Sequence, residues 1–132
     1  MREILFRAKT KNKHREWIIG LIGKIRNLDD EIEYYIIQDP EIENIWLERQ
    51  IDPSTLEQYT GQIDKNGKKI FEGDIVSISG ELKGIYTCVW EEHNFEYEFD
   101  NKTMSFGLAC VHSDDIKVIG NIHDNPELLK SE

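Results

Sequence analysis

Four side chains have the chemistry of soft metal ligands or of a nucleophile and its base: Cys88, Cys110, His93 and His112. Cys110 and His112 stand two residues apart, so on an extended strand they project from one side. With Asp114 or Asp115 they supply the residue types of a nucleophile, a general base and an orienting acid. Adjacency in sequence is not that geometry, and no CxxC, HxxxH or similar clip for zinc is present. A thiol- or zinc-dependent enzyme is therefore the weakest reading, and both thiols are expected to be buried structural groups. Asp64, Asn66 and Gly67 begin like a calcium loop, but such a loop needs glycine sixth and a bidentate glutamate twelfth. Here glycine is fourth and Ile75 is twelfth, which favours a hairpin turn. The carboxylate pairs Glu91-Glu92 and Glu96/Glu98 are expected on exposed strand faces, because glycosidase chemistry depends on a separation in space that sequence does not encode. No glycine-rich loop opens a helix to cradle a phosphate. The reading assigns no catalytic residue, no metal ligand and no cofactor, and expects a protein that is not an enzyme.

The elements that must position these groups are mostly strands. Residues 3–7 form a short extended segment, and residues 16–25 form a β-branched run with Gly20 and Gly23 inside it. After the polar break Asn27 to Glu31, a third strand runs from Ile32 to Ile37. Asp39-Pro40-Glu41 suits either a capped helix or a hairpin loop before Ile45-Trp46-Leu47, so residues 40–51 stay open between strand and helix, with the balance towards strand. Asp52-Pro53-Ser54-Thr55 repeats the cap-and-proline pattern, and the space before Gly61 admits a turn or two of helix over Leu56 to Tyr59. Asn66-Gly67 favours positive φ at both central positions of a tight hairpin joining Gln62–Asp64 to Lys69–Phe71. Four strand signals follow: Asp74–Ser79, Ile85–Trp90, the alternating Phe95, Tyr97 and Phe99, and the alternating Met104, Phe106, Leu108 and Cys110. A last strand, Ile116–Ile119, comes after the turn residues His112 to Asp115, and Asn125-Pro126 opens a short terminal helix. With no room for crossover helices the neighbours must be antiparallel. The expected fold is mainly β, with an N-terminal β region over residues 1–60 and an SH3-like small barrel over 61–132, either as separate domains or integrated into one.

Composition sets outer limits. The chain has 132 residues, 39% of them apolar, enough for a real core and too structured for disorder. The longest nearly apolar run, Trp17 to Ile22, is far short of the ~20 residues that span a bilayer. The opening residues lack the apolar block of a signal peptide, and two cysteines make no disulfide scaffold, so a cytoplasmic setting without membrane attachment is expected. The net charge of -10 is uneven. Residues 1–30 hold eight basic and four acidic side chains, net +4, whereas residues 31–132 hold eight and twenty-two, net -14. Arg7, Lys9, Lys11, Lys13 and Arg15 place five cations in nine positions. Such a segment is a solvated loop or a local, salt-sensitive nucleic-acid contact.

Two long blocks carry a resemblance. Residues 60–76, TGQIDKNGKKIFEGDIV, and residues 119–129, IGNIHDNPELL, are similar to the signature and closing motifs of the YopX family, small proteins encoded by phages and prophages. Phe6-Arg7-Ala8 is a third, weaker match. The resemblance implies a mostly β fold with an SH3-like barrel and a bacterial or phage setting, and it implies no reaction. Its shared residues have structural explanations. Gly61, Gly67, Gly73 and Gly120 suit positive φ or close approach. Asp64 and Asp74 can close turns by accepting backbone N–H bonds.

The leading functional expectation is a non-enzymatic accessory protein that binds a macromolecule. Its acidic body favours a basic protein partner or a second copy of the chain, and an exposed aromatic around Trp46 or Tyr86 is the expected contact. Nucleic-acid binding through the basic segment is the alternative.

Overall fold

The computed structural model describes residues 4–38 and 47–129. Among these the regular structure is β, joined by four short 3₁₀ turns. Among the described residues no helix is long and apolar enough to cross a membrane. The chain divides into two compact units, residues 1–59 and 60–132.

In the first unit, β1 (Phe6–Lys9), β2 (Trp17–Arg26), β3 (Ile32–Gln38), β4 (Leu47–Gln50) and the start of β5 (Glu57–Ile63) lie in the order β4-β3-β2-β1-β5, all antiparallel. Ala8 pairs with Ile18 and Ile22 with Ile36, which puts one set of alternate residues on an inner face. Ala8, Ile18, Ile36 and Ile51 are buried there, with Phe6, Tyr34 and Leu56 packed against them. The cap-and-proline pattern at Asp52 makes one 3₁₀ turn, Pro53–Thr55, in which the Asp52 side chain accepts the Ser54 N–H. No helix follows. Leu56 is already extended and Glu57 to Tyr59 belong to β5, because Arg7 and Leu5 offer that backbone a strand partner. Leu47 to Gln50 are strand, and the rest of the open interval, 40–46, lies outside the described residues.

In the second unit the end of β5 adjoins β6 (Lys69–Phe71). A five-stranded antiparallel sheet follows, built from β7 (Asp74–Ile78), β8 (Gly84–Glu91), β9 (Glu96–Asp100), β10 (Ser105–Gly107) and β11 (Ile116–Asn121). Its order is β10-β9-β8-β7-β11. The two ends of that order are not paired to each other, so this sheet stays open where closure into a barrel was expected. The inner face carries Val76, Ile78, Tyr86, Cys88, Tyr97, Phe99 and Ile116, with Ile70, Leu108 and Val111 completing the core. Edge-to-face contacts of Phe106 with Tyr86 and Phe99 fasten the β10 side.

Three further expectations change. The β5–β6 connection has positive φ at Gly67 but not at Asn66, and Gly67 N–H and Asp64 N–H bond to Asp64 C=O and Lys68 C=O. That is a three-residue loop with glycine in the left-handed position, selected because the Asp64 side chain organises the turn from outside. The strand expected through Cys110 ends at Gly107, and a 3₁₀ turn, Leu108–Cys110, leaves Cys110 exposed while Cys88 is buried. The terminal helix is a single 3₁₀ turn, Pro126–Leu129.

Candidate functional site

Among the described residues the most exposed aromatic surface lies at the β8–β9 hairpin. Its turn, residues 92–95, holds Phe95 in the left-handed region at φ 52, a conformation a bulky side chain adopts at a cost. Phe95 is thereby swung off the inner face, where alternation with Tyr97 and Phe99 would place it, and is 80% exposed. Trp90 is 41% exposed and meets the Tyr97 ring edge-to-face, with centroids 5.0 Å apart. Large apolar groups held in water by a rigid hairpin are the form of a recognition anchor.

Carboxylates line the face opposite Trp90, which shares the Tyr97 side of the sheet. Register pairs Glu91 with Glu96, Val89 with Glu98 and Thr87 with Asp100, so all four acids share the outer face of the sheet. Like charges directly opposite one another, as at Glu91 and Glu96, weaken a sheet unless a cation relieves them. Locally, His93 donates its backbone N–H to Glu91 Oε1 and places its ring Nδ1 3.1 Å from the same oxygen. The surface is therefore an aromatic tip beside an acidic face, chemistry that attracts a cationic partner and repels phosphate.

The five cations of the basic segment do not form one array. Arg7 is buried in β1, with Nε and Nη2 lying 2.9 and 2.8 Å from Glu57 Oε1, and its guanidinium sits over the Trp17 ring. Lys9 also lies over Trp17, at 5.5 Å from the centroid. Arg15 is ion-paired with Asp52, whose carboxyl is held below the ordinary range by bonds from the Ser54 hydroxyl, Arg15 and the Ser54 N–H. Lys11 and Lys13 stand exposed in the β1–β2 turn. Trp46 lies outside the described residues. Tyr86 is 2% exposed, with its hydroxyl donating to Leu82 C=O, and belongs to the core because its strand position faces inward.

The signature residues sit at turns. Gly61, Gly67 and Gly73 have positive φ, and Gly120 lies against Asn125. Buried Asp74 accepts the Phe71 N–H at 2.8 Å. Asp64 accepts three backbone N–H bonds, from Asn66, Lys68 and Val118, each at 2.9 Å. Burial alone would raise its pKa, but those donors outweigh it and hold the carboxyl below its ordinary value. His112 Nδ1 accepts the Asp114 N–H as the cap of a 3₁₀ turn. Among the described residues no group of three or more His, Cys, Asp or Glu side chains could hold a metal ion.

Sequence reasoning missed Phe95. Strict alternation assigned it inward, and the available counter-signal was the polar run Glu91 to Asn94, whose length pushes a turn into the aromatic position.

The sequence profile described as YopX protein matches residues 5–130. Among solved structures, the crystal structure of protein EF1440 from Enterococcus faecalis has a TM-score of 0.59 with 21% identity, covering 98% of this chain and 99% of that one. It is similar in fold. No curated protein matches the chain at a significant level.

Proposed function

The chain belongs to the YopX family, and from that premise we propose that it is a non-enzymatic phage or prophage accessory protein that binds a basic protein partner in the bacterial cytoplasm. The observation that carries this reading is Phe95, 80% exposed in a strained backbone conformation at the end of a sheet whose outer face carries four carboxylates. A conformation that costs stability and exposes an aromatic ring is retained where the ring has a contact to make. The open sheet of the second unit would then serve as SH3-like modules do, through one face and its loops. The basic β1–β2 turn supports nucleic-acid binding less well, since Arg7 and Arg15 already face Glu57 and Asp52.

A pair of titrations tests this. Binding of a lysine- and arginine-rich peptide, followed by fluorescence anisotropy, should weaken about tenfold or more in Phe95→Ala and Trp90→Ala. Binding of a DNA or RNA oligonucleotide that is tighter than peptide binding, and that falls steeply between ~50 and ~200 mM salt, overturns it.

A further inference from the structure

At one end of the acidic face of the second unit lies a groove of about 390 Å³. Its apolar surface comes from Ile85 on β8 and from Leu128 and Leu129 of the closing 3₁₀ turn, while Thr87, Asp100 and Lys102 supply polar rim groups. Leu129 is 38% exposed, and among the described residues none fills the space beside it. The volume lies within the range of ligand clefts, roughly 300–1,000 Å³, and accommodates a large apolar side chain.

The register of the sheet identifies what this groove would take. Asp100 lines the groove and lies on the same strand face as Glu98 and Glu96, which continue away from it at alternate positions. From Glu96 to Asp100 the strand advances about 13 Å, so the carboxylates recur every ~6.6 Å. An extended peptide has the same two-residue repeat. Lys102 on the rim disfavours a cation inside the groove, whereas cations beyond Asp100 meet only acids along β9. The geometry points to a docking groove for an extended segment that inserts one large apolar side chain between Ile85, Leu128 and Leu129 and lays lysines or arginines at alternate positions over Asp100, Glu98 and Glu96. This rests on the reading of a basic protein partner and specifies how that partner is held.

Synthetic peptides with one Phe followed, or preceded, by lysines at three alternate positions test it on the full chain by fluorescence anisotropy. The anchored peptide of one polarity should lose about tenfold or more in affinity when its Phe becomes Ala, when its lysines are made consecutive, and in the Leu129→Arg and Asp100→Lys proteins. Both protein changes are at exposed positions, and unchanged circular dichroism confirms that the variants are folded. Equal affinity for the anchored and anchorless peptides, with Leu129→Arg without effect but Phe95→Ala still weakening binding, overturns the groove and leaves the basic-partner reading standing. Binding of neither polarity above a neutral control peptide overturns both.

Discussion

Asp64 Oδ2 accepts the backbone N–H of Val118 at 2.9 Å, joining the β5–β6 turn to a strand fifty-four residues later. Its other oxygen holds the Asn66 and Lys68 N–H groups, so one carboxylate fixes both a turn and a long-range contact. Asp64→Asn keeps an acceptor for the turn but presents an amide N–H to the Val118 N–H. The expected loss is about 2 kcal/mol, and Asp64→Ala should lose more, measured by urea unfolding. Because the folded carboxyl titrates below its ordinary value of 3.8, its contribution is complete above that pH and is lost as pH falls through the lower folded value. The Asn variant should show a smaller acid-induced loss of stability below about pH 4 than the parent protein.

Glu72 should behave with the opposite sign. Burial raises its carboxyl above the ordinary 4.5, so the folded state favours the neutral form and stability falls as pH rises through that raised value. Glu72→Gln should therefore raise the Tm at pH 7 by a small amount, under about 1 kcal/mol in stability, and the gain should vanish near pH 4. A lower Tm for this variant at pH 7 would show that the charged carboxylate is needed.

Arg7 and Glu57 are both buried, side by side on β1 and β5. Removing one partner leaves a desolvated charge, so Glu57→Leu or Arg7→Met should each cost about 3 kcal/mol. The double change Arg7→Met/Glu57→Leu should recover at least half of that, as chemical denaturation of the four proteins in a cycle would reveal.

Two signature glycines should fail for different reasons. Gly67 has open space around its missing side chain but a φ of 79, so Gly67→Ala should cost about 1 kcal/mol through backbone strain alone. At Gly120 an added Cβ would lie 2.5 Å from Asn125 Oδ1, the group that accepts the Asn121 N–H. Gly120→Ala must displace that side chain and should cost more than Gly67→Ala. Combining Gly120→Ala with Asn125→Gly should narrow the gap.

The antiparallel strands were legible because alternation and turn residues agree along β2, β3, β7, β8 and β11. Tyr97 and Phe99 were placed correctly on the inner face by the same rule. The rule failed two residues earlier, at Phe95, where turn length outcompeted hydrophobic pattern. It also failed at Cys110, because the chain leaves the sheet at Leu108 to cover the core from one end. The acids were visible as residues, but their alignment with the groove depends on a C-terminal turn returning beside β8, a long-range contact that local sequence does not encode. The basic segment was read as a loop because five cations look solvated. Burial of Arg7 required Glu57, fifty residues away in the chain.

The outward edge of β11 is already occupied. Ile116 C=O takes the Lys65 N–H and the Val118 N–H is taken by Asp64, so the turn imitates a sixth strand at two points. A foreign chain seeking to extend this sheet by strand addition therefore finds that border closed, and the three-residue β10 on the opposite side offers too short a template to hold one firmly. This sheet thereby resists uncontrolled stacking and leaves recognition to side chains on its faces.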